Sequence, residues 1–211
     1  MTGVGQARSS AALTRRGRFA LVSRHSPRHW CKSELGNKLT VIAGTNAMEI
    51  PSEVRHLFVA AGWRPARDVS VDDRVPEHHP AHDVLREMGG LHVGQAGCGI
   101  ECASSDLIFQ FCDVAPEIVS TWSELLGSKL IEIAEVHNRH GLLLMDEAGR
   151  CFGASLIHDA FYFEGQNFDE ALTRLLLGRR SRPMLKPDQQ QVDLYGETFV
   201  RGHPAIFDYD H

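Results

Sequence analysis

The sequence lacks the features that place a protein across a membrane or outside the cell. No apolar run in its 211 residues approaches the about 20 consecutive apolar residues that span a bilayer. The longest apolar piece near the start, 19–22, is too short for the core of a secretory signal. The five cysteines are odd in number and irregularly spaced, unlike a disulfide framework. We therefore expect a cytoplasmic protein with reduced thiols and no membrane partner.

Positive charge is scarce over most of the chain. Residues 48–211 contain 14 Lys or Arg against 26 Asp or Glu, a net charge of −12. Residues 1–47 contain eight Lys or Arg against one acid, a net charge of +7. Nucleic-acid binding needs clustered positive charge against phosphates, so the acidic body disfavours a nucleic-acid partner. A field of this sign would instead steer a basic partner towards the protein.

Motifs for catalysis and for cofactor binding are also missing. The sequence contains no G-x-S-x-G elbow, no P-loop and no H-E-x-x-H zinc motif. A proline interrupts the histidine cluster at 78–82, and the pair Cys98 and Cys102 has no second pair to complete a zinc site. A cysteine nucleophile with a histidine base stays open as an alternative, because such pairs assemble in space. Since no local signature surrounds any cysteine, we expect no enzyme, no metal and no cofactor.

The first 47 residues form a separate compositional region. They are rich in Arg and Ser and have no sustained hydrophobic periodicity. This composition is typical of an organellar transit peptide, but it also fits an upstream stretch that is not translated. Met48 stands directly before the first well-formed element, which favours the second interpretation. Residues 1–47 are accordingly predicted to be a disordered or non-native extension.

Hydrophobic periodicity predicts four helices, over about 51–61, 80–88, 116–126 and 168–177. A glycine directly after each helix suits the left-handed conformation of a helix end: Gly62, Gly89, Gly127 and Gly178. Segments of β-prone residues fall at 91–93, 106–112, 129–136, 142–145 and 151–154. The small and polar residues of 94–105 indicate a loop.

The arrangement of these elements predicts the fold class. Helices and strands partly segregate along the chain, which favours α+β over a doubly wound α/β sheet. We predict a single α+β domain over 48–178, with an antiparallel or mixed meander sheet flanked by about four helices. Periodicity is lost after 178, so residues 179–211 are predicted to be a loosely ordered tail.

The stretch AAGWRPARDV, residues 60–69, ends one element and places a large aromatic directly behind it. Gly62 is the predicted helix stop, and Trp63 can fold back as the apolar partner of a glycine C-cap. Pro65 holds the preceding Arg64 extended and out of the helix. The sequence therefore predicts a structural corner with a buried tryptophan rather than a binding or catalytic loop.

Five segments of the chain form a specific pattern when they are taken together in their order. They lie at 54–69, 80–93, 122–136, 142–153 and 168–178. Their marks are AGW-x-P, GGL after a helix and a D-x-x-G-R hairpin, with the motif residues Gly62, Trp63, Pro65, Gly89, Gly90, Leu91 and Gly149. Over about 51–178 the chain resembles the third subgroup of the SUKH superfamily of bacterial immunity proteins. It departs from that pattern at Ala66, where a glycine is expected, and in the Gly- and Cys-rich loop 94–105.

The resemblance implies an α+β domain without catalytic residues. Such a domain binds and neutralises a cognate protein toxin, often a nuclease, of a bacterial polymorphic toxin system. The alternative is a protein-interaction scaffold of the same superfamily without a toxin partner. Nucleases are basic where they bind phosphates, so an acidic immunity protein would be steered to them. We expect part of that field to come from six exposed acids: Asp72, Asp73, Glu77, Glu101, Asp146 and Glu147.

Overall fold

The centre of the fold is an antiparallel sheet. A computed structural model of the chain describes residues 48–209, and the predictions for 1–47 lie outside these described residues. Seven strands follow one another in chain order from one edge of the sheet to the other: β1 His92–Cys98, β2 Ala103–Phe109, β3 Ile131–Val136, β4 Gly141–Met145, β5 Cys151–Ser155, β6 Phe161–Gly165 and β7 Arg182–Met184. Each strand is antiparallel to its neighbour, so the predicted meander is confirmed.

The described residues contain four helices, as the periodicity predicts: α1 Ser52–Ala60, α2 Pro80–Met88, α3 Pro116–Leu126 and α4 Phe168–Leu177. Pro80 begins α2 and Pro116 begins α3. The backbone N–H at the first position of a helix has no intrahelical acceptor, so a proline there loses no hydrogen bond. The side chain of Asn167 caps α4 by accepting a hydrogen bond from the Glu170 amide at 2.9 Å. Local sequence signals therefore place all four helices, but the left-handed glycine after α2 is Gly90, at φ +80°, and not Gly89 as predicted.

The helices divide between the two faces of the sheet. One face packs against α1, α2 and α4, in a cluster that includes Phe58, Met88 and Leu172. The other face, from β4 to β7, packs against α3 and the last residues of the chain. There Trp122 of α3 stacks on Phe161 with 4.1 Å between ring centroids. The layers give the α+β class that the sequence predicts.

The corner after α1 has the hydrogen bonds of a glycine-terminated helix. Gly62 has φ +90°, and its amide donates to the Val59 carbonyl at 3.0 Å. The Trp63 amide donates to the Phe58 carbonyl at 2.9 Å, which completes the two bonds of this type of helix end. Only 6% of Trp63 is exposed, so the ring packs into the main core.

Residues 94–105 differ from the expected loop, because β1 and β2 form a hairpin there. The pairing register shifts between Gly94 and Gly97, which indicates a bulge in β1. A Cβ atom on Gly99 would lie 2.5 Å from the Gly178 Cα atom, so the small residues serve a close backbone approach. The glycines that suggest a loop in the sequence therefore allow the hairpin to pack against the end of α4.

The segment after α4 also differs from the expected loose tail. Strand β7 extends the main sheet, and a separate hairpin follows, with β8 Gln191–Leu194 and β9 Glu197–Val200. Val192, Phe199 and Ile206 are buried in a third small cluster. Phe207 stacks on Phe163 with 4.0 Å between ring centroids. Isolated apolar residues hold this segment against a surface already formed by the sheet, and such docking leaves no periodic signal in the sequence.

Candidate functional site

The connection between α1 and α2 carries three of the predicted acids, Asp72, Asp73 and Glu77, and all three are exposed. Arg74 donates to both oxygens of Asp72, at 2.9 Å from Nε and 3.0 Å from Nη2. Its Nη1 donates to Asp113 Oδ2 at 2.7 Å, which links this connection to the loop before α3. The hydrogen bonds from Arg74 lower the pKa of Asp72 to about 2, so this carboxylate stays charged near neutral pH.

Two further predicted acids lie in separate turns. Glu101 is exposed in the β1–β2 turn, and its Oε2 accepts a hydrogen bond from the Arg180 amide at 2.8 Å. Glu147 is exposed in the β4–β5 turn, where its Oε2 is 3.4 Å from both Ser128 Oγ and the Lys129 amide nitrogen. The predicted set therefore comprises one group of acids and two isolated positions.

Asp146 differs from the expected exposed acid, because the structure buries it completely. Its Oδ1 accepts hydrogen bonds from the amides of Ala148 at 3.0 Å and Arg150 at 2.8 Å. Its Oδ2 accepts a third from Arg150 Nε at 2.7 Å. An aspartate that begins a turn commonly bonds the amides ahead of it, so Asp146 shapes the hairpin and contributes no partner surface.

Sequence reasoning missed a row of polar side chains on strands β2 and β3. Asp106 and Gln110 flank Ile108 at a spacing of two, so all three project from one face of the sheet. Glu135 lies opposite Ile108 on β3, and its Oε2 accepts a hydrogen bond from Gln110 Nε2 at 2.6 Å. The alternation in β2 was the available signal, but the pairing register that adds Glu135 is not visible in the sequence.

Asp106 joins this row to the turn between β3 and β4. Its Oδ1 accepts a hydrogen bond from the Asn138 amide at 2.8 Å, and its Oδ2 lies 2.9 Å from His92 Nε2. Burial opposes ionisation of Asp106, but these hydrogen bonds outweigh it and lower the pKa of the carboxyl group. Asp106 is therefore a buried, ionised carboxylate at the edge of a solvent-facing row.

Burial disfavours a reactive form of one histidine and three cysteines. His79 is buried, its Nδ1 accepts from the Ala81 amide and its Nε2 donates to the Lys129 carbonyl, both at 3.1 Å. Burial lowers the pKa of His79. Burial also raises the pKa values of the Cys102, Cys112 and Cys151 thiols. The pKa of Cys112 rises to about 12. A raised thiol pKa disfavours the thiolate that nucleophilic catalysis needs.

Residues 48–209 contain neither a candidate metal site nor a helix suited to a membrane. No group of three or more His, Cys, Asp or Glu in this part of the chain is arranged to hold a metal ion. No helix described there combines the length and apolar character needed to cross a membrane.

Comparison with known protein families gives a match over most of the described residues. The family model for the SUKH-3 immunity protein matches residues 50–178, which is more than half of the chain. This range holds all four helices and strands β1 to β6. No curated protein and no solved structure matches the chain.

Proposed function

Because the chain belongs to the SUKH-3 immunity protein family, we propose that it binds and neutralises a protein toxin of a bacterial polymorphic toxin system. The family match over residues 50–178 is the observation that carries this proposal. An immunity protein acts by occupying its toxin, so it needs a complementary surface and no reactive group. The raised thiol pKa values of Cys102 and Cys112 agree with such a non-catalytic role.

Charge favours a basic toxin such as a nuclease. Residues 48–211 carry a net charge of −12, from 14 Lys or Arg and 26 Asp or Glu. The exposed acids Asp72, Asp73 and Glu77 lie in one connection, and Arg74 keeps Asp72 ionised. A negative field steers a positively charged partner and raises its association rate. The proposal places the protein in the cytoplasm, where a nuclease toxin would find nucleic acid.

Co-expression with the toxin encoded beside this gene tests the proposal. Cells that produce the active toxin should survive only when the protein is also produced, and a tagged toxin should co-purify with it. The matched control is a toxin with its catalytic residue replaced, which should bind the protein without killing the cell. Death in the presence of well-expressed protein, together with no co-purified complex, would contradict the proposal and favour a scaffold without a toxin partner.

A further inference from the structure

We infer that one face of strands β1–β3, which no helix among residues 48–209 covers, is the surface that receives the toxin, and that it fits a basic segment of that toxin. This inference rests on the proposed function and adds the place of contact to it. We define the open face by five side chains, His92, Asp106, Ile108, Gln110 and Glu135. None of them belongs to the set of acids predicted from the sequence.

The strand register places these side chains on the same side of the sheet. Ile108 lies opposite His92 on β1 and opposite Glu135 on β3. Asp106 and Gln110 are two residues away from Ile108 and therefore share its side. The residues between them, Leu107 and Phe109, point the other way into the core beneath α1, α2 and α4.

The open face is the continuation of a covered one. Glu135 lies opposite Leu142 on β4, and the same row continues through Ala154 to Phe161 on β6. Those three side chains are buried in the cluster formed with α3. By contrast, His92 of β1 and Gln110, directly after β2, are exposed, and Ile108 of β2 is only half-buried. The sheet is thus apolar where α3 lies on it and polar where its face meets solvent.

The charges of the open face are arranged to receive a cation. The side chains of Asp106 and Glu135 are 5% and 11% exposed, so the two carboxylates are fixed in the surface. Their partners project outwards, with His92 at 60% and Arg139 at 64% side-chain exposure. Arg139 Nε is 3.4 Å from Glu135 Oε2, longer than a good charge-assisted hydrogen bond. A Lys or Arg from a partner can therefore replace these exposed partners while the carboxylates stay in place.

The rim of the open face is held in a costly conformation. His137, Asn138 and Arg139 all have positive φ, at 54°, 54° and 67°. Ser105 Oγ accepts a hydrogen bond from the His137 amide at 2.9 Å, and Asp106 Oδ1 accepts one from the Asn138 amide at 2.8 Å. Non-glycine residues adopt this region at a cost in backbone strain, and they persist there only where surrounding contacts fix them. The turn is therefore a fixed boundary that sets Arg139 beside Glu135.

Complementarity identifies the occupant as a basic protein segment. Two fixed carboxylates around a half-buried isoleucine match a Lys or Arg pair that flanks an apolar side chain. The net charge of −12 over residues 48–211 favours the same sign of partner. A toxin that binds phosphates, such as the nuclease of the proposed function, carries basic segments of this kind.

A single charge change tests this surface. Gln110 is exposed, so Gln110→Lys leaves the core intact while its ammonium group neutralises Glu135 and repels a basic partner. We expect the Kd for the purified toxin, measured by calorimetry on the full chain, to rise at least about tenfold. Gln190→Lys is the matched control, since it adds the same charge at another exposed glutamine and should change the Kd less than about twofold.

A second pair of variants removes an apolar contact without changing charge. Ile108→Ala should weaken toxin binding at least about fivefold, whereas Ile157→Ala, at a residue 62% exposed, should leave binding unchanged. Circular dichroism and thermal unfolding of each variant establish that it is folded before binding is measured. This pair decides the matter if Gln110→Lys does not fold.

The outcomes separate this inference from the proposed function. If the wild-type chain binds and protects while folded Gln110→Lys and Ile108→Ala bind as tightly as it does, the docking surface lies elsewhere and the proposed function stands. If the wild-type chain neither binds nor protects, the proposed function fails and this inference fails with it. Loss of affinity in both open-face variants, with both controls unchanged, supports the inference.

Discussion

At the scale of single residues, Ala66 adopts a backbone conformation that favours glycine. The resemblance to the family leads us to expect a glycine at this position, and the structure gives Ala66 a φ of +57°. A side chain in the left-handed region costs about 1–2 kcal/mol, because its Cβ crowds the following carbonyl oxygen. The chain therefore keeps a backbone conformation that suits the glycine it lacks.

We predict that Ala66→Gly raises the free energy of unfolding by about 1 kcal/mol, since glycine removes this strain but adds entropy to the unfolded chain. Urea titration of the two proteins measures the difference. Ala148→Gly is the matched control, at an exposed turn residue without a positive φ, and should lower stability by about 0.5–1 kcal/mol. A loss of stability in Ala66→Gly would contradict the strain at this position.

Residue roles were predictable only where the signal is local. The Gly62–Trp63 corner follows from two adjacent residues, and the structure places the tryptophan in the core. Asp146 and Glu147 are adjacent acids in one turn, but the first is buried and the second exposed. Their difference depends on which carboxylate faces the turn amides, and that direction is set by the hairpin register.

At the scale of elements, long periodic segments were predictable and docked segments were not. Each of the four helices has a periodic apolar face and a glycine at its C-terminal end. The predicted helix bounds therefore agree with the structure within about two residues. The segment after α4 is stabilised by packing on the sheet, as where Phe207 stacks on Phe163. Because that stabilisation comes from distant residues, the local composition gives no indication of it.

Phe207 tests whether the C-terminal segment is an integral part of the fold. Its ring stacks on Phe163, Arg182 lies 5.0 Å from its centroid, and its amide donates to the Pro183 carbonyl at 2.8 Å. We predict that Phe207→Ala lowers the free energy of unfolding by about 2 kcal/mol, less than for a fully buried phenylalanine. Denaturant titration checks this value. Val200→Ala, at a residue 53% exposed, should change stability by less than about 0.5 kcal/mol, and an equally small effect at Phe207 would indicate a loose tail.

At the scale of the whole molecule, strand order decides what the surface presents. The exposure of the acids in the α1–α2 connection could be predicted, because they form a charged run in a polar stretch. The sequence did not predict the open face, since Asp106 and Glu135 are brought together by pairing between β2 and β3. Long-range pairing also buries Glu164 of β6, which links the stability of the entire fold to pH.

Glu164 is 1% exposed, and burial raises the pKa of its carboxyl group to about 7. Ser181 Oγ donates to Oε2 at 2.8 Å and Arg174 Nε is 4.0 Å away, but among the described residues Oε1 has no hydrogen-bond partner. The folded state therefore binds a proton more tightly than the unfolded state, whose pKa is about 4.5. This contribution to stability is present below pH about 4.5 and is lost as the pH rises to about 7.

We predict that Glu164→Gln removes up to about 3 kcal/mol of that pH-dependent loss, because the amide stays neutral. Unfolding free energies measured from pH 4.5 to 8 in both proteins give the difference in slope. Glu124→Gln, at an exposed glutamate of α3, is the control and should leave the slope unchanged. An identical pH profile for the wild type and Glu164→Gln would show that Glu164 does not titrate in this range.

Direct titration of toxin activity tests the neutralising function most closely. Increasing amounts of the full chain are added to a fixed concentration of a purified toxin identified by the co-expression test, and the remaining toxin activity is measured. We predict that activity falls to zero at a fixed molar ratio of the two proteins, with a Kd on the order of 10⁻⁸ M or tighter. Toxin activity that stays at its starting level under a large molar excess of folded protein would contradict neutralisation by this chain.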